Sequence, residues 1–170
     1  MAHPGRKTGL CNALMDEVND AVAEGCDPQR DAQGAIVAWR KSIYSYPPIG
    51  SPDGGAHVTA SDLDRFLRQL KAGALLSISS VQAFFTPQVL HHVTEEWTQM
   101  FGYGLEFAVD GSGQILFAEK EGINAGVSAV IRHYPDADIN VVLLSNTQRG
   151  VWEPRRVIHR MLVRDETVRT

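Results

Sequence analysis

The sequence predicts an α+β protein. It has a helical and loop-rich first half, followed by an antiparallel β-meander of about four strands with a C-terminal helix on it. Two observations lead to this class. In the first half apolar residues recur at helical spacing, and from Tyr103 onward they alternate or run together in short stretches separated by turn residues. We predict a single domain over 1–170, with helices and loops in 8–98 and the sheet and last helix in 99–164.

The first 55 residues contain one helical pattern, one strand pattern and one long loop. Apolar residues at four-residue intervals predict a helix over residues 10–24, which Gly25 would end. Residues 35–39 are apolar and β-branched enough for a strand. From Tyr44 to Gly55, three prolines and three glycines exclude regular structure.

Two helices are predicted next, each with its own capping residue. Thr59 can cap the first, and Asp62, three residues later, completes a capping box. The apolar face of this helix consists of Leu63, Phe66, Leu67 and Leu70. Ser77 can cap a second, shorter helix that runs through Phe85 and stops before Pro87.

The second half predicts a meander and a last helix. The strands cover residues 103–109, 114–120, 127–134 and 139–145. Because Ile139 to Ser145 is nearly all apolar, we expect this strand to be covered on both faces and to sit inside the sheet. Pro154 suits the first turn of a helix that packs on the sheet.

Charge and composition exclude several classes of partner. A formal net charge of -4 argues against nucleic acid, which normally needs a basic face. The arginines between 155 and 164 recur at helical spacing and predict a solvated face. No apolar stretch approaches the roughly 20 residues of a membrane span. With two cysteines and no apolar core at the N-terminus, the sequence favours a cytoplasmic protein.

Motifs for metal, phosphate or nucleophilic chemistry are missing. His91, His92, Glu95 and Glu96 form HHxxEE, which does not match the zinc-binding HExxH pattern, so we interpret them as a solvated loop or helix surface. The sequence has no phosphate loop, no GxSxG, and no serine followed three residues later by lysine. We therefore predict no metal, no cofactor and no catalytic residue within this chain.

The most informative stretch is Lys120-Glu121-Gly122, where an apolar run changes abruptly to charge and glycine. A lysine two residues before a glycine places a cation beside backbone that a ligand can approach closely, because glycine has no Cβ. This pattern predicts one wall of a binding cleft.

Four segments together resemble the C-terminal part of the β-lactamase-related serine hydrolases. They are SPDGGAHVTASDLDRFL from Ser51, YGLEF from Tyr103, KEGINAG from Lys120, and the apolar strand that ends in Leu144-Ser145-Asn146. The family comprises class C β-lactamases, low-molecular-weight penicillin-binding proteins, and allied esterases and D-peptidases. The resemblance covers residues 8–164 and implies a partial β-lactamase-like fold. It also implies a small-molecule or peptide-like acyl substrate: an ester, amide or lactam cleaved through a serine acyl-enzyme in the complete enzyme.

The resemblance also implies roles for the wall. Lys120 would supply positive charge, Gly122 clearance, and the N–H of Ile123 an oxyanion contact, typically worth about 2.7 to 4 kcal/mol. Glu121 stands where the family has a small hydroxyl residue. If it faced a β-lactam carboxylate at about 4 Å, repulsion would cost roughly 1 to 4 kcal/mol. Strand alternation can instead point Glu121 away from the Lys120 face.

The family's nucleophile and base lie in SxxK, with an assisting tyrosine in YxN, and this sequence contains neither motif. We therefore expect a truncated chain that is inactive alone, with the other half upstream or on a second polypeptide. Two alternatives stay open: a non-catalytic binding module that keeps the Lys120 cleft, and an interaction protein. In the family, N-terminal strands pair beside the strand matching Ile139 to Ser145. Without them we expect an open edge there and a homodimer through it.

Overall fold

The structure is a computed structural model that describes residues 22–42 and 54–166, with side chains as far as Val163. A two-stranded sheet contains β1 (Cys26–Arg30) and β2 (Ile36–Lys41). The helices are α1 (Ala60–Lys71), α2 (Ile78–Phe84) and α3 (Trp152–Glu166). The larger sheet contains β3 (Val89–Val93), β4 (Thr98–Phe101), β5 (Glu106–Val109), β6 (Ile115–Asn124), β7 (Val127–Tyr134) and β8 (Ile139–Ser145).

The larger sheet follows chain order, β3-β4-β5-β6-β7-β8, as expected for a meander. The pairs from β3 to β6 are antiparallel. The α+β class, the antiparallel sheet and the C-terminal helix are therefore confirmed. The bounds of β7 and β8 match the prediction, and β6 continues to Asn124, beyond the predicted end at Lys120. Most of the predicted helix over 10–24 and of the loop over 44–55 lies outside the described residues.

Both capping predictions for the first-half helices are confirmed. The Thr59 Oγ1 accepts a hydrogen bond from the Asp62 N–H at 3.2 Å, and the Asp62 carboxylate accepts one from the Thr59 N–H at 3.1 Å. At α2 the Ser77 hydroxyl accepts a hydrogen bond from the Ser80 N–H. The predicted face of α1 is only partly right, because Phe66 is 48% exposed while Leu67 and Leu70 are buried.

Three strands were not predicted: β1, β3 and β4. They are only four or five residues long, and β1 contains Pro28, which sequence patterns associate with turns. Their hydrogen-bond partners come from neighbouring strands, so local composition carries little signal for them. The HHxxEE surface was predicted as loop or helix; it is exposed, but His91 and His92 lie in β3.

The prediction that the Ile139 to Ser145 strand sits inside the sheet is wrong for the part of the chain that the structure describes. There β8 is the last strand of the sheet, as the expectation of an open edge required. Its side chains are mostly half-buried. An apolar sequence indicates that the faces of a strand are covered, but it does not say how many strands lie beside it.

By contacts between backbone positions the chain divides into two compact units. One contains Leu63–Glu121 and Ala129–Leu143; the other contains Met1–Asp62, Gly122–Ser128 and Leu144–Thr170. The core of the first unit is a buried cluster on one face of the sheet, formed by Leu105, Phe107, Val109 and Ala118. Phe84, Phe85, Met100 and Ile115 pack against this cluster. None of the described helices is both long and apolar enough to cross a bilayer.

In the second unit a carboxylate of β1 connects two loops by hydrogen bonds. Asp27 accepts hydrogen bonds from the N–H of Gly126 at 2.6 Å and from the N–H of Gln148 at 3.0 Å. Gly126 has φ +72°, and a Cβ there would approach within 2.8 Å of Gly25 and Ser42 atoms. Asp27 therefore fixes the turn after β6 and the loop after β8.

Candidate functional site

The predicted wall lies at the end of β6, where the strand leaves the protein interior. Phe117, Ala118 and Glu119 are buried, whereas Lys120 and Ile123 are exposed. The pairing of β6 with β5 extends as far as Glu119, just before the wall.

Within the described residues, the Lys120 ammonium has no ion-pair partner. Its ammonium makes no ion pair or hydrogen bond with any side chain in 22–42 or 54–163. An exposed cation in this state can attract the carboxylate or the polarised carbonyl of a ligand.

The space beside the Cα atom of Gly122 is open. A Cβ atom built on it would meet none of the described atoms within 4 Å, apart from its immediate chain neighbours. A ligand can therefore approach the backbone of this residue, as the wall prediction requires.

Cross-strand pairing places Lys120 and Glu121 on opposite faces of the sheet. Phe107 pairs with Ala118, and Glu106 pairs with Glu119. Because side chains alternate along a strand, Lys120 follows the face of Ala118, and Glu121 follows the face of Glu119. The carboxylate of Glu121 therefore points away from a ligand held on the Lys120 face.

The Glu119 face carries a buried polar cluster that sequence reasoning missed. The Arg132 Nε and Nη2 donate to the Glu119 carboxylate at 2.8 and 2.7 Å, and both residues are buried. The Arg132 guanidinium also lies 3.7 Å from the Phe117 ring centre, and its Nη1 donates to the Tyr134 hydroxyl. The sequence signal was weak: Glu119 begins a charged run in β6, and Arg132 interrupts the apolar residues of β7. Such a pair is costly to break, since one buried charge would remain.

Glu106 shares this face and has an unfavourable environment for its charge. Burial raises the pKa of Glu106 above its ordinary value, and the negative charge of Glu121 raises the pKa further, whereas Lys120 lowers it. The wall therefore sits beside a carboxyl group that is more easily protonated than usual.

His91 and His92 of β3 are exposed, whereas His133 of β7 is buried. The Nδ1 atoms of His91 and His92 are 2.5 Å apart, and the His91 ring packs edge-on against Phe101. In residues 22–42 and 54–163, no three His, Cys, Asp or Glu side chains are grouped so that they could hold a metal ion.

The buried side chain of His133 takes part in hydrogen bonds that connect elements of the fold. Its Nδ1 donates to the Asn140 Oδ1 at 2.8 Å, and the Asn140 amide donates to Asp64 at 2.8 Å, which ties β7 and β8 to α1. Burial, followed by the charge of Lys71, lowers the pKa of His133 and keeps the ring neutral.

Comparison with solved structures supports one fold family. The chain is similar to a penicillin binding protein from Bacillus halodurans, with 28% identity and a TM-score of 0.74 over 87% of this chain and 43% of that protein. It therefore spans less than half the length of that relative. It also resembles the fold of the octameric penicillin-binding protein homologue from Pyrococcus abyssi, with 22% identity and a TM-score of 0.55, covering 74% of this chain and 27% of that one.

Sequence comparison gives the family. No curated protein matches the chain significantly. The Beta-lactamase family model matches residues 13–165, which include β1 to β8 and nearly all of α3. The match covers the Lys120 wall and most of the chain. The chain therefore belongs to the Beta-lactamase family.

Proposed function

We propose that this chain supplies the substrate-binding wall of a β-lactamase-related serine hydrolase that acts on an ester, amide or lactam. One observation carries the proposal. In a chain that matches the family over 13–165, the second half of β6 carries an exposed lysine with no ion pair among the described residues and, two positions later, a glycine open to ligand approach. Lys120, Gly122 and Ile123 are the residues to which we assign the wall.

Each residue of the wall has a part in acyl transfer. When a serine hydroxyl attacks the substrate carbonyl, the carbonyl oxygen gains negative charge. We assign the Ile123 N–H as a donor to that oxygen, because a fixed dipole needs no reorganisation as the charge develops. Lys120 attracts the substrate and stabilises negative charge nearby. Gly122 lets the substrate lie against the strand.

We infer that the nucleophile and base are supplied by polypeptide outside these 170 residues. The sequence has no SxxK and no YxN, and an oxyanion donor with a cation cannot form an acyl-enzyme without a nucleophile. The chain alone would then bind a substrate without covalent turnover. A carboxylate-bearing ligand suits the Lys120 face, since Glu121 follows the opposite face.

The proposal is tested by amide NMR titration with two probes, benzylpenicillin and N-acetyl-D-alanyl-D-alanine. We expect saturable shifts at the amides of residues 120–123. Lys120→Ala removes a charge worth about 1 kcal/mol at 4 Å in water, so the Kd should rise about fivefold. Arg65→Ala is the control, because Arg65 is an exposed cation on α1 with no ion pair among the described residues. Equal Kd values for the two variants would contradict the role of Lys120.

A second activity, self-association, is favoured by the position of β8. Within the described residues β8 is the last strand of its sheet, and Leu144 is 41% exposed. An edge strand presents unpaired N–H and C=O groups that a second copy can use. The Pyrococcus abyssi homologue is described as octameric. For this chain we propose a homodimer through Ile139–Ser145, which an interaction module would also require.

A further inference from the structure

The structure contains a groove of about 650 Å³. It is bordered by the β1–β2 hairpin, the turn after β6 and the loop after β8, and all its lining residues belong to one compact unit. Arg30, Arg40 and Arg149 line it, together with Trp39. None of the three wall residues is among the lining residues.

The charge of the groove is opposite to that of the protein. Among the described residues three arginines line it against one carboxylate, that of Asp27, whereas the whole chain carries a formal charge of -4. Both oxygens of Asp27 are already occupied by the N–H groups of Gly126 and Gln148. The carboxylate is thus committed to holding two loops in place.

The arginines keep most of their donors available. Arg40 and Arg149 are exposed and make no ion pair or hydrogen bond through their side chains within 22–42 and 54–163. Arg30 uses one Nη1 bond, at 2.7 Å, to the Gly34 carbonyl of the hairpin turn, which orients its guanidinium. A guanidinium has five N–H donors in a fork that fits carboxylate and phosphate oxygens, so this bond leaves four.

The groove also has an apolar component on the hairpin. Trp39 is 57% exposed and Ile36 is 46% exposed, and both line the groove. Pro28 pairs with Trp39 across the strands, so their side chains lie on the same face of the hairpin. An exposed indole in a groove that arginines also line offers a flat surface on which an aromatic ring can stack.

We propose that this groove binds a small organic anion that carries a carboxylate or phosphate-type group attached to a flat apolar group. The anionic group would be held by Arg30 and Arg149, and the flat group would rest on Trp39, because Arg30 follows the face of Pro28, which pairs with Trp39. This site goes beyond the function proposed above, because the wall residues take no part in it.

The experiment is an amide and indole NMR titration of the full chain with benzoate and phenylphosphonate, and with benzamide as the neutral probe of the same shape. We expect both anions to shift the Trp39 indole N–H and the amides of residues 148–150 saturably. The tighter of the two identifies the preferred anion. Benzamide should bind at least tenfold more weakly.

Variants identify the residues responsible. Arg30→Gln and Arg149→Gln should each raise the Kd of the preferred anion at least fivefold, whereas Arg65→Gln, which removes the same charge from α1, should leave it unchanged. Lys120→Ala should also leave it unchanged, so the groove and the wall can fail independently. The proposal is overturned if neither anion saturates, if benzamide binds as tightly, or if both groove variants keep the original Kd.

Discussion

Gly122 and Gly126, four residues apart, show how differently two glycines can be constrained. Gly126 has a positive φ, and a Cβ atom there would clash with Gly25 and Ser42. The fold therefore requires glycine at this position. Gly122 has an ordinary φ and open space, so the fold does not require glycine there. That contrast supports a role for Gly122 outside the fold, in ligand clearance.

Gly122→Ala should therefore weaken binding without weakening the fold. The added methyl group would stand where the ligand approaches, and we expect the Kd for benzylpenicillin to rise about tenfold with Tm unchanged or slightly raised. The matched control is Gly111→Ala, since a Cβ there also meets open space and its φ is not positive. Titration and thermal melts of both variants check this. A large drop in Tm for Gly122→Ala alone would show that its role is structural.

Glu106→Gln should stabilise the protein at pH 7. The raised pKa of Glu106 means that its ionised form is disfavoured by burial and by Glu121, so removing the charge relieves that cost. Such a group favours the folded state below its unfolded pKa, and this advantage is lost as pH rises through the folded pKa. The gain in Tm should thus be present at pH 7 and absent near pH 3.5. An equal gain at both pH values would rule out the electrostatic cause.

At the scale of elements, prediction from sequence succeeded where the signal is local. The Thr59 and Ser77 caps and the strand periods after Tyr103 depend on neighbouring residues, and the structure contains all of them. Strands β1, β3 and β4 depend on partners elsewhere in the chain and were missed. The Arg132–Glu119 pair was missed for the same reason, since register decides it.

The capping box of α1 gives a test at this scale. Thr59→Ala should lower the free energy of unfolding by about 0.5–2 kcal/mol, because it removes the side-chain acceptor of the Asp62 N–H. Asp62→Ala should cost less after Thr59→Ala than in the original chain, because the two side chains act reciprocally. Urea denaturation of the two single variants and the double variant measures this coupling. Strictly additive losses would count against a box.

At the scale of the whole molecule, the site could be predicted only in part. The wall was predicted because Lys120, Gly122 and Ile123 lie within four positions of one strand, and the wall and its part in a reaction remain proposals. The arginine groove was not predicted, because the lining residues of the β1–β2 hairpin lie more than 100 positions before Arg149 in sequence. No local pattern joins Arg30 and Arg40 to Arg149.

The edge formed by β8 gives the test at this scale. Leu144→Lys should abolish association measured by sedimentation at high protein concentration, because a charge on an edge strand opposes strand pairing. Met161→Lys is the control, since Met161 is also an exposed apolar residue but lies on α3. Association that survives in Leu144→Lys, or a monomer with amides 141–144 strongly protected, would exclude pairing through this edge.

The most direct test of the central claim is intact-mass measurement after incubation with benzylpenicillin and, separately, with a fluorophosphonate. The claim is that this chain holds a wall of a serine hydrolase site but not its nucleophile. It predicts that the mass of the chain is unchanged by either reagent, while a complete β-lactamase-related enzyme treated in parallel gains one adduct. A stoichiometric adduct on this chain alone would contradict the claim and would place a reactive serine within these 170 residues.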